Sequence, residues 1–409
     1  MLKILLICHD IPSKTVGATL PFYHLIKELG KKYDINLVSF DSDKYSIKEL
    51  EKYLDEFHSI TIPEYLDFKN QLKYTVKNML SYDNINTKSF LNYYYHKDMS
   101  KLIKEKTTED IDLIITDMPM AFYAKNIKLP KIVYAFDAVS NYNYNMYKKS
   151  NRIFSKIYWY LNYLKIHRYE KVYNSFDCCV LVNNKDKKLL KKDINIPIEV
   201  ISNGVDTRFF KNNLEDNVKL VFLGDMSTPP NNDAVKYFIE KIYPEVLKEI
   251  SVNFYIVGRN PSDYIKRLSE NPNICVTGSV DDVRKYLTKG TIFITPMISG
   301  TGIKNKILEA MSMELAVIST SIGISGINAD NNIHYLLADT PDEFKKKIIQ
   351  LNNDRTLRED LGINARLFVE KNYSWKISMH KFDEIINKII TWNIYLKNNK
   401  NNYRIKKYF

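Results

Sequence analysis

A segment in the second half of the chain combines two glycines, two lysines and one glutamate. It reads ISGTGIKNKILEAMSMELAVIST over residues 298–320. Gly300 and Gly302 follow a strand-like run and allow a tight turn, in which backbone N–H groups can approach a ligand closely. Apolar residues then recur at helical spacing, which predicts a helix that begins near Ile303, with Lys304 and Lys306 in its first turn. Cations there oppose the helix dipole, and this is reasonable where an anion such as a diphosphate is bound.

Glu309 lies more than one helical turn beyond the start of this predicted helix. A carboxylate at this position can accept two hydrogen bonds from neighbouring hydroxyl groups, as on a ribose. The alternative is an exposed ion pair between Lys306 and Glu309, three residues apart, with no ligand involved. Because the segment is neither a Walker loop nor a GxGxxG fingerprint, the spacing alone leaves both interpretations open.

Short apolar runs alternate with helical patterns along the chain, which predicts an open, mostly parallel α/β sheet. The pattern restarts after residue 217, and ten of the twelve glycines lie from residue 204 onward. Because the pattern restarts, we expect two doubly wound, Rossmann-like domains that face each other across a cleft. Ligands of such sheets bind outside the carboxyl ends of the strands. The predicted strands are 1–8, 35–40, 59–62, 112–116, 131–136, 177–183, 218–224, 252–258, 273–278, 291–297 and 315–320.

The composition bounds the class of protein. A chain of 409 residues exceeds what one core usually serves, and its net charge of +12 would draw phosphorylated substrates, anionic lipids or nucleic acids. The apolar start is too short for a signal sequence, and no run approaches the length of a membrane span. Four cysteines without a CxxC pattern fit a reducing cytosol. Neither a metal-ligand spacing nor a Ser-His-Asp arrangement is evident.

The glycine-lysine segment resembles the donor-site signature of GT-B glycosyltransferases of the retaining, glycogen-synthase-like class, family 4. The block PMISGTGIKNKILEAMSMELAVIST carries the resemblance. Other segments follow the same pattern: AFDAVS (135–140), ISNGVD (201–206), VFLGDMSTPPNNDAV (221–235), FYIVGRNP (254–261), VTGSVDDV (276–283) and SW (374–375). The match extends over nearly the whole chain and is more specific in the second half.

The resemblance implies transfer of a sugar from a nucleotide diphosphate-sugar to a glycan or lipid-linked acceptor, with retention of the anomeric configuration, in cell-surface polysaccharide biosynthesis. It implies no metal cofactor, because basic residues and helix dipoles neutralise the leaving diphosphate. The expected domains are an acceptor-side domain (1–200), a nucleotide-sugar-binding domain (201–374) and a closing helix with a basic tail (375–409). The expected location is the cytoplasm, with an anionic membrane surface as a further partner and no nucleic acid.

The resemblance also assigns roles to particular residues. Glu309 matches the second acid of the family's Glu-x7-Glu pair, which holds the ribose, whereas the first acid is replaced by Thr301. Asp225 and Asn231 occupy a loop where the family often has an Arg and a Lys, so Lys304 is expected to carry more of the phosphate charge. The predicted catalytic residues are Lys304, Glu309 and Asp137. The predicted donor-binding residues are Gly17, Gly224, Arg259, Gly278, Val280, Ser299, Gly300, Thr301, Gly302, Ile303 and Lys306.

Simpler interpretations stay open for several of these residues. Gly17 fits an ordinary strand-to-helix turn, although glycine is scarce in this half of the chain. Asp137 and Ser140 fit a helix cap as well as a sugar contact. Arg259 fits a solvated loop cation, and His9 is interpreted as a structural loop residue.

A basic helix is predicted within residues 151–173, with an apolar stripe at Ile153, Ile157, Leu161 and Leu164. Such a helix can lie on an anionic membrane surface. Packing of the stripe into a core, with a solvated basic side, is slightly favoured for this helix.

Two other functions stay open for the whole chain. The same architecture hosts nucleotide-sugar epimerases, which convert the donor without an acceptor, although the cleft acids and histidines that they need are not evident. A non-catalytic basic module that binds RNA or anionic lipid would show salt-dependent binding and no turnover. No RNA-binding motif supports it.

Overall fold

The computed structural model describes residues 1–14, 19–41, 45–61, 94, 96–210, 218–288, 290–300 and 302–398. The chain forms two compact units, each built on one parallel sheet. The first comprises Met1–Ser202 together with the segment from Met379 onward, and the second comprises Asn203–Ser378. Two parallel-sheet α/β units confirm the fold class that the alternating pattern predicts.

Seven parallel strands form the sheet of the first unit. They are β1 (Lys3–Cys8), β2 (Asp34–Asp41), β3 (Glu56–Thr61), β4 (Leu113–Asp117), β5 (Lys131–Phe136), β6 (Cys178–Leu181) and β7 (Ile198–Val200). Their order is β3-β2-β1-β4-β5-β6-β7, and Leu5 of β1 lies opposite Asn36 on one side and Ile114 on the other. The strand order reverses between β1 and β4, and the carboxyl ends at such a switch point are where sheets of this kind bind ligands.

The helices of the first unit connect these strands in sequence. They are α1 (Leu20–Leu29), α2 (Lys97–Lys106), α3 (Ala121–Ala124), α4 (Val139–Lys149), α5 (Ile153–Glu170) and α6 (Asn184–Leu190), with 3-10 turns at Glu51–Tyr53 and Lys171–Ser175. The central strands are continuous apolar runs, as expected for a parallel sheet buried on both faces. Leu5, Ile114 and Val133 contribute to one buried cluster with alternate residues of the neighbouring strands.

The second unit contains six parallel strands. They are β8 (Lys219–Leu223), β9 (Asn253–Val257), β10 (Ile274–Gly278), β11 (Thr291–Thr295), β12 (Ala316–Ser319) and β13 (Leu336–Leu337). Their order is β10-β9-β8-β11-β12-β13, so the switch point of this sheet lies between β8 and β11. Leu220 and Phe222 point into one core cluster, and Val221 and Leu223 point into another. This alternation places a hydrophobic core on each face of the sheet.

The helices of the second unit cover both cores. They are α7 (Pro229–Tyr237), α8 (Tyr243–Leu247), α9 (Asp263–Arg267), α10 (Asn305–Ser312), α11 (Ser321–Ile324), α12 (Pro341–Asn353), α13 (Arg355–Asn372) and α14 (Trp375–Asn398), with a π turn at Phe238–Ile242 and 3-10 turns at Leu268–Glu270 and Val283–Lys285. A capping box formed by Thr340 and Glu343 starts α12. None of the helices in the described residues combines the length and the apolarity that crossing a bilayer requires.

The last helix, α14, begins in the second unit and continues into the first. In the first unit, the Phe382 ring is buried 5.3 Å from the Tyr134 ring, measured between ring centres. Asp383 pairs with Lys32, with 2.7 Å between nitrogen and oxygen, and accepts a hydrogen bond from the Tyr33 hydroxyl at 2.5 Å. The carboxyl-terminal helix is therefore part of the first unit's core.

The basic helix α5 does not bury the predicted apolar stripe. Ile153, Ile157 and Leu164 keep 69%, 48% and 41% of their surface exposed. The buried residues of this helix, such as Ile166 and Tyr169, lie at its carboxyl end. The core-packing interpretation of the stripe was wrong, because α5 extends beyond the sheet with only its last turns packed on the unit.

The end of β9 depends on a close approach between two glycines. Gly258 has a φ of +144°, and a Cβ there would lie 1.8 Å from the carbonyl oxygen of Gly224. We expect Gly258→Ala to lower the free energy of unfolding by roughly 3 kcal/mol or more, because strain and overlap add. Urea denaturation measures the change.

The matched control for this prediction is Gly278→Ala. Gly278 also has a positive φ, +66°, but no atom of the described structure lies within 4 Å of an added Cβ. We therefore expect Gly278→Ala to lower the free energy of unfolding by about 1 kcal/mol, from the strain of the left-handed backbone alone. Equal losses for the two variants would contradict the close approach of Gly258 to Gly224.

Candidate functional site

The glycine-rich loop lies at the switch point of the second sheet, directly after β11. Gly300 and Gly302 have φ values of +118° and +72°, the left-handed region that glycine adopts without strain. The helix begins at Asn305, two residues later than predicted, because Lys304 is extended, with φ −95° and ψ 95°. Ile303 therefore belongs to the loop. Thr301 lies outside the described residues.

Lys304 sits between the loop and the helix. Its Nζ donates a hydrogen bond to the carbonyl oxygen of Gly302 at 2.7 Å. Burial lowers the pKa of Lys304 from its ordinary value. The cation is thus held over the glycine turn at the N-terminus of α10, where backbone donors and the helix dipole also favour an anion.

The side chain of Lys306 points into the second unit, towards the end of β8. Its Nζ donates to the carbonyl oxygen of Leu223 at 2.8 Å and to Oδ1 of Asn231 at 2.7 Å, and it lies 4.0 Å from the centre of the Phe222 ring. Burial, with a contribution from Lys304, lowers the pKa of Lys306 to about 7. These contacts fix the position of the β8 loop, and direct contact of Lys306 with a donor stays a prediction.

Glu309 lies one turn into α10 and is partly buried. Burial raises the pKa of its carboxyl to about 7, against the opposing effect of Lys306. No hydrogen bond or ion pair joins the carboxylate to any residue in the described part of the chain. The exposed ion pair with Lys306 was therefore wrong, and the carboxylate retains its capacity to accept hydrogen bonds.

Arg259 and Asp225 form an ion pair above the ends of β8 and β9. Arg259 Nε lies 2.8 Å from Asp225 Oδ2, and Asp225 also accepts hydrogen bonds from Ser227 and Asn260. The hydrogen bonds from Ser227 and then from Arg259 hold the pKa of Asp225 well below its usual range. Arg259 is 67% exposed, as expected of a solvated loop cation, and it is paired with Asp225; its contact with a nucleotide stays a prediction.

The remaining predicted donor residues lie on the same edge of the sheet. Gly224 directly follows β8, and a Cβ there would lie 2.6 Å from Nδ2 of Asn231. Gly278 ends β10, and Val280 packs partly against the core beyond it. Ser299 is half-buried in the loop after β11. These residues share the carboxyl ends of the strands, while Gly17 lies outside the described residues.

Asp137 follows β5 in the first unit. Partial burial and the neighbouring Asp186 raise its pKa to about 6, and Asn183 Nδ2 donates to its Oδ1 at 3.3 Å. The cap of α4 is Ala138, without a side-chain hydrogen bond. Helix capping by Asp137 or Ser140 was therefore wrong.

Ser140 is instead bonded to a buried acid that the sequence analysis did not single out. Its amide N and Oγ donate to the carboxylate of Glu170 at 3.0 and 2.6 Å. Burial raises the pKa of Glu170 to about 7. This contact ties the start of α4 to the end of α5.

A histidine-aspartate pair lies at the switch point of the first sheet. His9 Nδ1 is 2.5 Å from Oδ2 of Asp117, which also accepts the amide of His9 at 2.7 Å, while Met120 N donates to Oδ1 at 3.1 Å. Asp117 is fully buried, and 18% of the His9 side chain is exposed. His9 Nε2 has no hydrogen-bond partner among the described residues. A histidine oriented in this way can accept a proton or bind a hydroxyl at Nε2.

The pair was missed because the two residues are 108 positions apart, and His9 alone carries no motif. The available signal was topological. His9 and Asp117 lie at the carboxyl ends of two apolar strands, β1 and β4. In a doubly wound sheet the strand order reverses between two neighbouring strands, and β1 and β4 are this pair here. Among the described residues, no group of three or more His, Cys, Asp or Glu could hold a metal ion.

Known proteins resemble this chain over different parts of its length. Residues 217–354 match the family model described as Glycosyl transferases group 1. The chain is 26% identical over 296 residues to an uncharacterized 44.6 kDa protein in the cps region of Klebsiella pneumoniae, covering 68% of this chain and 75% of that one. It is 26% identical over 184 residues to the capsular polysaccharide biosynthesis glycosyltransferase CapM of Staphylococcus aureus, covering 42% of this chain. The chain spans about half of CapM's length, 47%.

Solved structures show the fold. Sucrose-phosphate synthase from Thermosynechococcus elongatus superposes with a TM-score of 0.66 at 12% identity, over 96% of this chain and 100% of that one. Anabaena HepE in complex with UDP gives a TM-score of 0.63 at 14% identity, over 95% of this chain and 100% of that one. These structures show the GT-B fold for the chain, and the family model matches part of its second unit. The segment that matches the glycosyltransferase model contains every predicted donor-binding residue except Gly17, together with Lys304 and Glu309.

The His9–Asp117 pair makes the stability of this GT-B protein depend on pH. Burial by itself lowers the pKa of His9. The charge of Asp117 and its hydrogen bond, with a contribution from Asp10, raise the pKa by more than burial lowers it, so the pKa of His9 lies above its ordinary value. The stabilising contribution is therefore complete below the pKa of the unfolded state and is lost as the pH rises through the folded pKa. We expect His9→Asn to lower the free energy of unfolding by about 1 kcal/mol more at roughly pH 5.5 than at roughly pH 9.

Urea denaturation at the two pH values checks this difference. His380→Asn, at an exposed histidine of α14, is the control and should show the same small change at both. A His9→Asn effect that does not vary with pH would refute the charged pair.

Proposed function

We propose that this protein is a retaining glycosyltransferase that moves a sugar from a nucleotide diphosphate-sugar to a glycan or lipid-linked acceptor in cell-surface polysaccharide biosynthesis. The observation that carries the proposal is the loop after β11. It places a left-handed glycine turn, the Lys304 ammonium and the N-terminus of α10 at the switch point of the second sheet. A diphosphate is the ligand whose charge and size fit such a group of donors.

The loop and the helix after it supply the groups that act in the proposed reaction. The bond between the anomeric carbon and the diphosphate oxygen breaks, and its electron pair stays on the diphosphate. An acceptor hydroxyl oxygen forms the new bond to the anomeric carbon, and the proton of that hydroxyl passes to the departing diphosphate. Lys304 and the backbone N–H groups at the start of α10 stabilise the negative charge that develops there, as preorganised donors do in other enzymes. These groups supply the positive charge, so we propose that no metal cofactor is required. Glu309 accepts hydrogen bonds from the ribose hydroxyls.

The first unit supplies the acceptor side in this proposal. Asp137 and His9 follow β5 and β1, and their polar atoms are available at the carboxyl edge of that sheet. A carboxylate and an imidazole can both orient a sugar hydroxyl. The surface-glycan context is supported by the similarity to CapM and to the Klebsiella pneumoniae cps-region protein. We propose a cytoplasmic location, consistent with four free cysteines.

A panel of nucleotide sugars tests the activity itself. Slow release of free nucleotide without an acceptor would identify the base and the sugar together, and UDP-sugars come first because HepE was solved with UDP. Conversion of a donor into an isomeric nucleotide sugar would instead identify an epimerase. If no donor is turned over or bound, the proposed function is wrong.

Substitution of Lys304 tests charge stabilisation. We expect Lys304→Ala to lower the rate of donor turnover by about 100-fold or more, because one preorganised donor to the leaving diphosphate is lost. Lys266→Ala, at an exposed lysine of the same unit, is the control and should leave turnover unchanged. Turnover of Lys304→Ala at the wild-type rate, with the thermal transition intact, would exclude this role.

A second substitution tests the ribose contact of Glu309. We expect Glu309→Gln to weaken binding of the ribonucleoside diphosphate by roughly tenfold at about pH 8.5, where a carboxyl with a pKa of about 7 is ionised, because charged acceptors bind hydroxyls more strongly than neutral ones. The 2′-deoxy nucleotide should bind the wild type more weakly and should lose little further affinity in the variant. Calorimetric titration of both nucleotides into both proteins checks this, and equal losses for the two nucleotides would place Glu309 away from the 2′-hydroxyl.

A further inference from the structure

Helices α4 and α5 form a hairpin that is held together by aromatic rings. We define the aromatic hairpin as residues 139–170, with the connection at 150–152. Three ring pairs join the two helices, at centre-to-centre distances of 6.1 Å for Tyr142 and Trp159, 5.1 Å for Tyr144 and Tyr163, and 5.2 Å for Tyr147 and Tyr160. Because these contacts lie between the helices, the tip has a defined shape without being packed on the sheet.

The tip of the aromatic hairpin exposes large apolar side chains to solvent. Phe154 has 84% of its surface exposed, more than any other apolar side chain of the described residues. Ile153, Ile157, Tyr160 and Leu164 are also exposed, and their spacing of four, three and four residues places them on one face of α5. An exposed, continuous apolar stripe of this length marks a surface that contacts a partner.

The charge around this stripe has a single sign. Residues 139–169 contain no Asp or Glu. The cations of the same stretch are Lys148, Lys149, Arg152, Lys156, Lys165 and Arg168. Lys149, Arg152 and Lys156 are exposed near the tip, and no residue in the described part of the chain forms an ion pair with them.

We propose that the aromatic hairpin docks on the surface of an anionic lipid bilayer, with Phe154 and the α5 stripe inserted among the acyl chains and the cations at the headgroups. Interfacial helices combine an apolar face with Lys and Arg in this way. Tyrosine and tryptophan rings with one polar edge are favoured at the same depth. A protein interface would be depleted of charge at its centre, and a nucleic acid would not favour exposed isoleucines.

Docking would bring the protein to the membrane that holds a lipid-linked acceptor. In this respect it rests on the proposed function. The docking itself is a property of the hairpin, and it is measured without any substrate. Failure of docking and failure of glycosyl transfer are therefore separate results.

Vesicle flotation with the full chain tests the docking. The wild type should float with vesicles of phosphatidylcholine that contain phosphatidylglycerol, and much less with phosphatidylcholine alone. Ile153→Ser combined with Ile157→Ser should weaken binding at least about tenfold, because two buried apolar side chains are lost. The matched control is Ile363→Ser with Leu367→Ser, a pair at the same spacing on α13 with 48% and 59% exposure. It should bind as the wild type does.

A charge-removing variant tests the electrostatic part. Lys149→Gln, Arg152→Gln and Lys156→Gln together should lower binding by roughly fivefold per charge. The matched control replaces Lys236, Lys241 and Lys266, three exposed lysines of the second unit, with Gln. It should retain vesicle binding, because the net charge is the same in the two triple variants and only the position differs.

Tryptophan emission reports whether the tip enters the bilayer. In Trp392→Phe, the remaining residues are Trp159 in the aromatic hairpin and Trp375, which is buried. Its emission should shift to shorter wavelength when phosphatidylglycerol vesicles are added. No shift would show that the hairpin stays in water.

Several results would overturn the proposal. They are absence of vesicle binding by the wild type, equal binding by the apolar variant, and a wild-type dimer that Ile153→Ser with Ile157→Ser converts to a monomer. Binding of RNA that is insensitive to the apolar variant, with no vesicle binding, would assign the surface to a nucleic acid. The hairpin variants should keep the thermal transition of the wild type, which shows that they are folded.

Discussion

The buried ammonium group of Lys306 joins three segments at the carboxyl end of the second sheet. It belongs to α10, and it donates to the last carbonyl of β8, at Leu223, and to Asn231 in the first turn of α7. A buried cation without hydrogen-bond acceptors is strongly unfavourable, so both partners must stay in place. The glycine loop before α10 and the Gly224 turn after β8 are positioned by this one group. One buried cation therefore holds together the segments that form the site.

Acids with raised pKa values lie along the carboxyl edges of both sheets. Burial raises the pKa of Glu309 and of Glu170 to about 7, and partial burial with Asp186 raises that of Asp137 to about 6. Groups of this kind are common at functional sites, because burial and neighbouring charges are arranged there to shift pKa values. Glu170 is already bonded to Ser140, so it fits a structural role. Glu309, without a described partner, fits ligand binding better.

Much of the fold and part of the site could be predicted from the sequence, for identifiable reasons. Continuous apolar runs such as KILLIC specify buried parallel strands, and the glycines at strand ends mark the loop after β11. The start of α10 was predicted two residues early, because helical spacing does not reveal the extended backbone of Lys304. The inward turn of Lys306 was also missed, since its acceptors lie 75 and 83 residues away. Such contacts depend on tertiary packing, which the local pattern does not contain.

Two predictions for the first unit, on the α5 stripe and on His9, were wrong or incomplete because the contacts concerned depend on tertiary packing. The apolar stripe of α5 has the spacing of a core helix, and only the absence of a facing element leaves it exposed. His9 and Asp117 meet because β1 and β4 are neighbours, which follows from topology and not from their surroundings in sequence. Periodicity reports which residues share a face, whereas tertiary structure decides what that face contacts.

The position of α14 has a consequence for biosynthesis. Phe382 and Ile386 are fully buried in the first unit, although they are translated after the whole of the second. When the ribosome has completed residues 203–378, that unit has all its strands and can fold. The amino-terminal sheet, made first, still lacks the helix that covers Tyr134. The part of the chain that is made first thus completes its core late, and its apolar surface stays uncovered until α14 emerges from the ribosome.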